Sequence, residues 1–272
     1  MIYRLKRIVH QRAQRYIASH RRGALMRKIA GYSDLFRTWH RNLDGDPRYN
    51  GEEFVLRTLQ PFGLETIFDV GANVGDWSRM ARSLFPEARI HAFEIAPPTA
   101  RLVEEAFQGD TRFVLNACGL SNADGEIEIK YYPEDGALSS LIDYPHQRRV
   151  EMISARVTTG DGYVSANGIE RIDFFKMDVE GAEHLVLEGL RETLRGGKIS
   201  ALQFEYGTVN IVTKFLLRDF YRTFEEAGFR VGKIFPNYVD FREYSFDQED
   251  FLGQNYLAIS TRLPEWIRAL QA

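Results

Sequence analysis

The segment TIFDVGANVGDWS, residues 66–78, restricts the possible folds more than any other stretch of this chain. An apolar run closes on Asp69 and Val70, and a turn follows in which Gly71 and Gly75 bracket Asn73. Trp77, Met80, Ala81 and Leu84 then recur at helical spacing. A strand, a glycine turn and a helix in that order open a βαβ unit. The pattern continues the unit: the spacing predicts helices over 77–85 and 99–107 and strands over 89–94 and 111–117. Such alternation specifies a parallel sheet with right-handed crossovers.

Beyond residue 120 the rhythm loosens. GEIEIKYY, residues 125–132, alternates with period two and predicts a strand. A polar stretch over 133–149 contains GALSSL and DYPHQRR, and 156–159 predicts a further short strand. Strands over 172–177 and 200–205 flank a helix over 182–194, and a helix over 215–227 ends at Gly228. Two closing strands, 229–235 and 255–260, are expected as an antiparallel pair at the sheet edge. Ahead of the sheet, GDPRYN is a turn-rich joint, followed by a helix over 52–59.

Charge divides the chain. Residues 1–30 hold nine of its 35 Lys and Arg and no Asp or Glu, so the remainder carries 26 basic against 38 acidic residues, a net of −12. Ile2, Leu5, Val9, Ala13, Tyr16 and Ile17 recur at helical spacing among those cations. A basic amphipathic helix suits either packing with a solvated face or peripheral contact with an anionic membrane. The division expected is a basic helical extension over 1–50 and a main domain over 51–272. An acidic main domain disfavours nucleic acid as a partner. Cys118 is the only cysteine, which excludes an internal disulfide and a cysteine-built zinc site and favours a cytoplasmic location, with the inner membrane face as the peripheral alternative. The sequence sets no oligomeric state.

Ligands of open parallel sheets bind beyond the carboxyl ends of the strands, where strand order reverses. The glycine turn lies at such an end. A dinucleotide would require G-x-G-x-x-G, but the chain reads G-A-N-V-G-D, and Asp76 and Asp69 would oppose a pyrophosphate. S-adenosylmethionine has no phosphate and suits the turn better. Asp69 can hold its cationic methionine end directly or through water. Backbone around Gly71 and Asn73 can meet its amino-acid portion, and Glu94 can accept both ribose hydroxyls. A nicotinamide-dependent oxidoreductase and a non-catalytic cofactor-binding protein of the same fold are the rivals.

FDVGANVGDWS, HAFEIAP, NACGLS, IDFFKMDVEGAEHLVLEGL and LQFEYG together resemble the FkbM family of S-adenosylmethionine-dependent methyltransferases, over about residues 52–260. The run K-M-D-V-E-G-A-E, residues 176–183, is the most specific part. The resemblance implies the α/β class I methyltransferase fold, a Rossmann-like seven-stranded sheet with helices on both faces. It also implies O-methylation of a hydroxyl on a sugar, glycan or natural product. Carried over residue by residue, Asp69, Gly71, Asn73 and Gly75 would hold the methionine part, Glu94 the ribose and Ile95 the adenine. Asn116 and Ala117 match the adenine-side segment, and Ser139 and Ser140 match a serine pair. Two family segments differ here: E-P-x-P stands as Glu94-Ile95-Ala96-Pro97, and T-[LI]-D as Thr159-Gly160-Asp161, both expected in loops.

Methyl transfer to an alcohol requires alignment with the S–CH₃ axis and a base for the departing proton. Asp178 ends one strand, Glu180 follows it, and Glu205 ends the next, so all three should rim one crevice. Asp178 is the first candidate base, then Glu180 and Glu205, with Glu180 equally suited to holding the helix start. Asp178 and Glu205 holding Mg²⁺ is a less favoured alternative. His184, His146 and His91 are weaker candidates, the last read as structural. Tyr206 and Tyr238 are candidates for lining an acceptor pocket.

Overall fold

The computed structural model describes residues 2–43, 45–133 and 149–271. The chain divides into two compact units, Met1–Asp44 and Gly45–Ala272. The first is helical. Its basic segment is not one helix but two, α1 (Ile2–Ser19) and α2 (Ala24–His40), interrupted at Gly23.

The second unit is a layered α/β domain. In chain order it runs α3 (Glu52–Leu59), β1 (Thr66–Val70), α4 (Asp76–Leu84), β2 (Arg89–Phe93), α5 (Pro97–Ala106), β3 (Phe113–Asn116), β4 (Gly119–Ser121) and β5 (Gly125–Tyr131). There follow β6 (Glu151–Thr159), α6 (Gly160–Ala166), β7 (Ile172–Met177), α7 (Glu183–Gly189), α8 (Arg191–Arg195), β8 (Ile199–Tyr206) and α9 (Val209–Thr213). The chain closes with α10 (Leu217–Glu226), β9 (Phe229–Phe235), β10 (Tyr238–Phe241), β11 (Gln254–Ser260) and α11 (Pro264–Gln271).

The main sheet has eight strands in the order β10-β9-β11-β8-β7-β1-β2-β3, one more than expected. The segment from β3 to β8 is parallel throughout. β11 runs antiparallel to both neighbours and lies between β8 and β9, so the expected antiparallel pair exists but is not at the edge. The hairpin strand β10 takes the edge instead. A separate three-stranded sheet, β4-β6-β5, carries the period-two strand. Its β6 is nine residues long and begins well before 156, and β4 had no signal of its own.

Parallel strands covered on both faces read as unbroken apolar runs, and the pleat sends successive residues to opposite layers. Phe68, Phe175 and Leu202 enter one core with Phe204, Phe220 and Phe224. Ile67, Phe174 and Ala201 enter the other with Leu257, Trp266 and Leu270. The helix expected over 182–194 breaks into α7 and α8. Gly189 lies against β4, where a β-carbon would sit 1.9 Å from the Ser121 carbonyl oxygen, and the chain re-aims after it. The Thr159-Gly160-Asp161 segment is no loop: Thr159 ends β6 and caps α6, accepting from Gly162 N, and Asp161 accepts from Glu192 and Thr193 N–H.

From β1 the chain winds outward through β2 and β3, then returns to place β7 on the other side of β1. The loops leaving β1 and β7 therefore diverge and open a crevice at their carboxyl ends.

Candidate active site

The turn after β1 is built by backbone contact with its neighbours. Gly71 and Ala72 N–H both donate to the Phe93 carbonyl, at 3.0 and 2.9 Å, and Asp178 N donates to the Val70 carbonyl at 2.9 Å. Gly71 has φ +87°, and a β-carbon there would lie 1.7 Å from the Asp178 carbonyl oxygen. That close approach of the β1 and β7 ends demands glycine. Asn73, at φ +48°, donates its N–H to Glu94 Oε2 at 2.8 Å, and its own Oδ1 is buried without a partner.

Glu94 directly follows β2 and is 5% exposed. Its other oxygen accepts from Ala96 N at 2.9 Å. Burial pushes its carboxyl up to about 7 against those two backbone hydrogen bonds, which lower it. Each oxygen keeps a free lone pair for a further donor.

These residues border a cleft with about 680 Å³ of empty space. Gly71, Asn73, Glu94, Asp178 and Glu180 give it a polar lining, and Ile95, Leu120, Ile127, Ile129 and Val157 an apolar one. The apolar lining comes largely from the small sheet. Gly119 makes room for it, since a β-carbon there would meet Ile95 Cδ1 at 2.7 Å. A cleft with both polar and apolar lining fits a ligand that is part amino acid and part purine. The orphaned Asn73 Oδ1, the spare lone pairs of Glu94 and the bare backbone at Gly71 and Gly119 all match S-adenosylmethionine.

Four expected cofactor residues lie outside the cleft lining. Asp69 is fully buried and does not line the cleft. It accepts from Ser78 Oγ at 2.6 Å and lies 3.6 Å from Lys176 Nζ, so it braces the turn from beneath. Asn116 and Ala117 also fall outside the lining. Asn116 Nδ2 donates to the Ala92 carbonyl, and Gly119, Leu120 and Ser121 reach the cleft in their place. Gly75, at φ +83°, sits before α4 and packs on Phe107, giving the backbone its left-handed bend without touching the cleft.

The motif over residues 176–183 acts as a unit. Lys176 is 6% exposed, with Asp178 at 3.1 Å and Asp69 at 3.6 Å. Burial works against its charge, but Asp178, Asp69 and Glu52 outweigh burial and hold its pKa above the ordinary lysine value. Glu180 and Gly181 take left-handed backbone at φ +51° and +99°. Glu183, at the start of α7, reaches back to accept from Gly181 N at 3.1 Å and Val179 N at 3.4 Å. Burial pushes Glu183 up to about 7.

Glu180 also borders a second cavity, with about 450 Å³ of empty space, lined by Glu183, Glu205, Gly207, Thr208, Val209, Leu252 and Gly253. Glu205 is held well above the ordinary carboxyl range, first by burial and then by Asp178, Glu180, Glu183 and Glu52. The three expected acids are thus brought together, with Asp178 on the cleft, Glu205 on the second cavity and Glu180 on both. Among the described residues no three His, Cys, Asp or Glu side chains are grouped to hold a metal ion.

His91 is buried in β2, with Nδ1 2.8 Å from the Tyr163 hydroxyl, and burial pushes it down to about 4. His184 packs near Phe215, its Nδ1 buried and unpartnered. Tyr206 is buried and bonded to Glu249, and Tyr238 stacks on Phe235; neither lines the cleft or the second cavity. Ser139, Ser140 and His146 lie outside the described residues. Lys176, Glu183, Gly119 and the small-sheet wall are contributors the sequence reading passed over. A lysine inside the all-buried strand IDFFKM was the available signal.

Comparison with known proteins matches residues 69–231 to the model of the Methyltransferase FkbM domain. The chain belongs to the FkbM methyltransferase family. Among curated relatives, 2-O-methyltransferase NoeI of Sinorhizobium fredii is 32% identical over 47% of this chain and 58% of its own. The 31-O-demethyl-FK506 methyltransferase FkbM of Streptomyces tacrolimicus is 27% identical over 52% of this chain and 67% of its own. The chain spans less than two thirds of the length of several relatives it matches, NoeI among them. A solved FkbM methyltransferase from Methylobacillus flagellatus KT aligns at 14% identity and TM-score 0.46, over 72% of this chain and 43% of that one.

Proposed function

We propose that this FkbM-family chain is an O-methyltransferase that moves a methyl group from S-adenosylmethionine to a hydroxyl of a sugar, glycan or natural product. The observation that carries the reading is the junction of the two cavities at Glu180: a cleft shaped for a nucleoside and an amino acid opens beside an acidic chamber. When bound, S-adenosylmethionine supplies a methyl group already activated on a sulfonium. Glu94 accepts from the ribose hydroxyls. Ile95, Ile127, Ile129 and Val157 cover the base. Asn73 and the Gly71 backbone meet the amino-acid end, and Asp69 stabilises the turn through Ser78 and Lys176.

The acceptor hydroxyl approaches from the second cavity. Asp178, kept close to Lys176, takes its proton, with Glu180 and Glu205 next in rank. The relatives named as 2-O- and 31-O-demethyl methyltransferases support oxygen as the receiving atom. Peripheral contact of the basic N-terminal unit with an anionic membrane face belongs to the same proposal. It would bring a lipid-linked glycan within reach.

Isothermal titration with S-adenosylmethionine and S-adenosylhomocysteine tests the reading, with Glu94→Ala as control. Binding to the native chain and a loss of roughly tenfold to a hundredfold in the variant is expected. A folded native chain that binds neither compound would refute the assignment of the cleft.

A further inference from the structure

We propose that α1 and α2 form a docking surface for an anionic lipid membrane, with the α2 apolar face inserting between headgroups and the cations of both helices flanking it. This deepens the peripheral contact proposed above and is independent of methyl transfer. It moves the contact from a charged segment over 1–30 to a two-part surface reaching His40.

Leu25, Ile29, Tyr32, Phe36 and Trp39 follow one another along α2 in steps of four, three, four and three residues, which keeps them on one helix face. All five are exposed, Tyr32 and Trp39 by 73% and 70%, and α2 has no buried residue. Arg27, Asp34 and Thr38 occupy the opposite side, with Arg37 beside them. On α1, Ile8, Val9, Tyr16 and Ile17 are exposed as well. A contiguous apolar stripe of this length marks an interaction site.

Charge identifies the occupant. The first acidic residue in the sequence is Asp34. Lys6, Arg7, Arg12, Arg15, Arg21, Arg22, Arg27 and Lys28 are all exposed, and none has an ion pair among the described residues. A second copy of the unit would add the same cations and repel it. An anionic lipid surface supplies the missing counter-charge and an apolar layer at the depth of the stripe. Tyr and Trp on that stripe are the side chains that settle at the boundary between headgroups and acyl chains. The unit spans nothing: among the described residues no helix is long and apolar enough to cross a membrane.

Trp39 is a built-in reporter, because Trp77 and Trp266 are each only 4% exposed. The full chain is mixed with phosphatidylcholine vesicles containing roughly 30% phosphatidylglycerol, or none, and followed by flotation and tryptophan emission. Expected are flotation and a blue shift with the anionic vesicles alone, reversed at about 1 M salt. Phe36→Ser with Trp39→Ser, and separately Arg21→Glu with Arg22→Glu, should each weaken binding about tenfold or more while cofactor affinity stays within about twofold. Unchanged cofactor titration certifies that these variants fold, and keeps this result separate from failure of the catalytic reading. Absence of flotation, or equal flotation with neutral vesicles, would overturn the proposal. So would a concentration-dependent dimer in sedimentation velocity that Phe36→Ser with Trp39→Ser dissolves, since the stripe would then be occupied by a second copy.

Discussion

Glu94 joins the turn after β1 to the start of α5 through one hydrogen bond on each oxygen. Its pKa of about 7 in the free protein gives cofactor binding a pH dependence. Ribose hydroxyls donate best to the ionised form, so binding releases the proton. Affinity for S-adenosylmethionine should therefore rise from pH 6 to 8, approaching tenfold per unit below the pKa and levelling above it. Titrations at several pH values check this, and Glu94→Gln should be weak and flat across the range. The glycines separate in the same way. Gly71→Ala drives a β-carbon to 1.7 Å from the Asp178 carbonyl at a left-handed φ, and should cost about 3 kcal/mol or more by urea unfolding. Gly119→Ala meets the Ile95 side chain, Cδ1 at 2.7 Å and Cβ at 3.3 Å, and no backbone, so its effect should fall on cofactor affinity, with stability changed by roughly 1–2 kcal/mol. For the chemistry, Asp178→Asn should lower kcat about 10²-fold to 10⁴-fold while cofactor titration remains near native.

The helix ahead of the sheet and the motif after β7 are bound to the core by buried charge. Glu52, in the first turn of α3, accepts from Gln203 Nε2 of β8 at 2.7 Å, from Asn255 Nδ2 of β11 at 3.2 Å and from Asn50 Nδ2 at 2.7 Å. Its carboxyl is pushed up, by burial first, while Lys176 and its amide donors pull it down. Removing it strands three donors, so Glu52→Ala should cost on the order of 2–4 kcal/mol in chemical denaturation, and Glu52→Gln less. Lys176 joins β7 to β1 in the same network. Lys176→Met leaves the fully buried Asp69 without its cation and should cost about 3–5 kcal/mol, the penalty of an uncompensated buried charge. The K-M-D-V-E-G-A-E run thus has a physical reading. A buried cation, a rim carboxylate, a left-handed turn and a carboxylate clamping that turn occupy successive places in it.

Across the main unit, Glu52, Asp69, Glu94, Glu183 and Glu205 all have pKa values raised by burial. A carboxyl with a raised folded pKa binds more protons folded than unfolded. Stability is then full below the unfolded value near 4.5 and is lost as pH rises toward the folded value. For Glu94 and Glu183 that window runs from about 4.5 to about 7, with a loss on the order of 3 kcal/mol each. The cofactor-free protein should be more stable at pH 5.5 than at pH 8 by ~3 kcal/mol or more, read from urea midpoints, and Glu183→Gln should flatten part of the slope. Saturating S-adenosylmethionine should reduce the deficit at pH 8, because it binds the folded state alone. The sequence by itself determined the α/β alternation, the glycine turn and the strand ends that carry Glu94, Asp178 and Glu205. It also determined the split between a basic start and an acidic remainder. These depend on side-chain period, on the φ freedom of glycine and on composition, all of which act over a few neighbouring residues. Only the tertiary structure decided that β11 inserts between β8 and β9, and that Gly119 and the small sheet supply the apolar wall in place of Asn116 and Ala117. It likewise placed Asp69 beneath the turn, buried against Ser78 and Lys176. Those outcomes depend on strand pairing and on burial by residues as much as 203 positions apart, as Glu52 and Asn255 are, which no local pattern encodes.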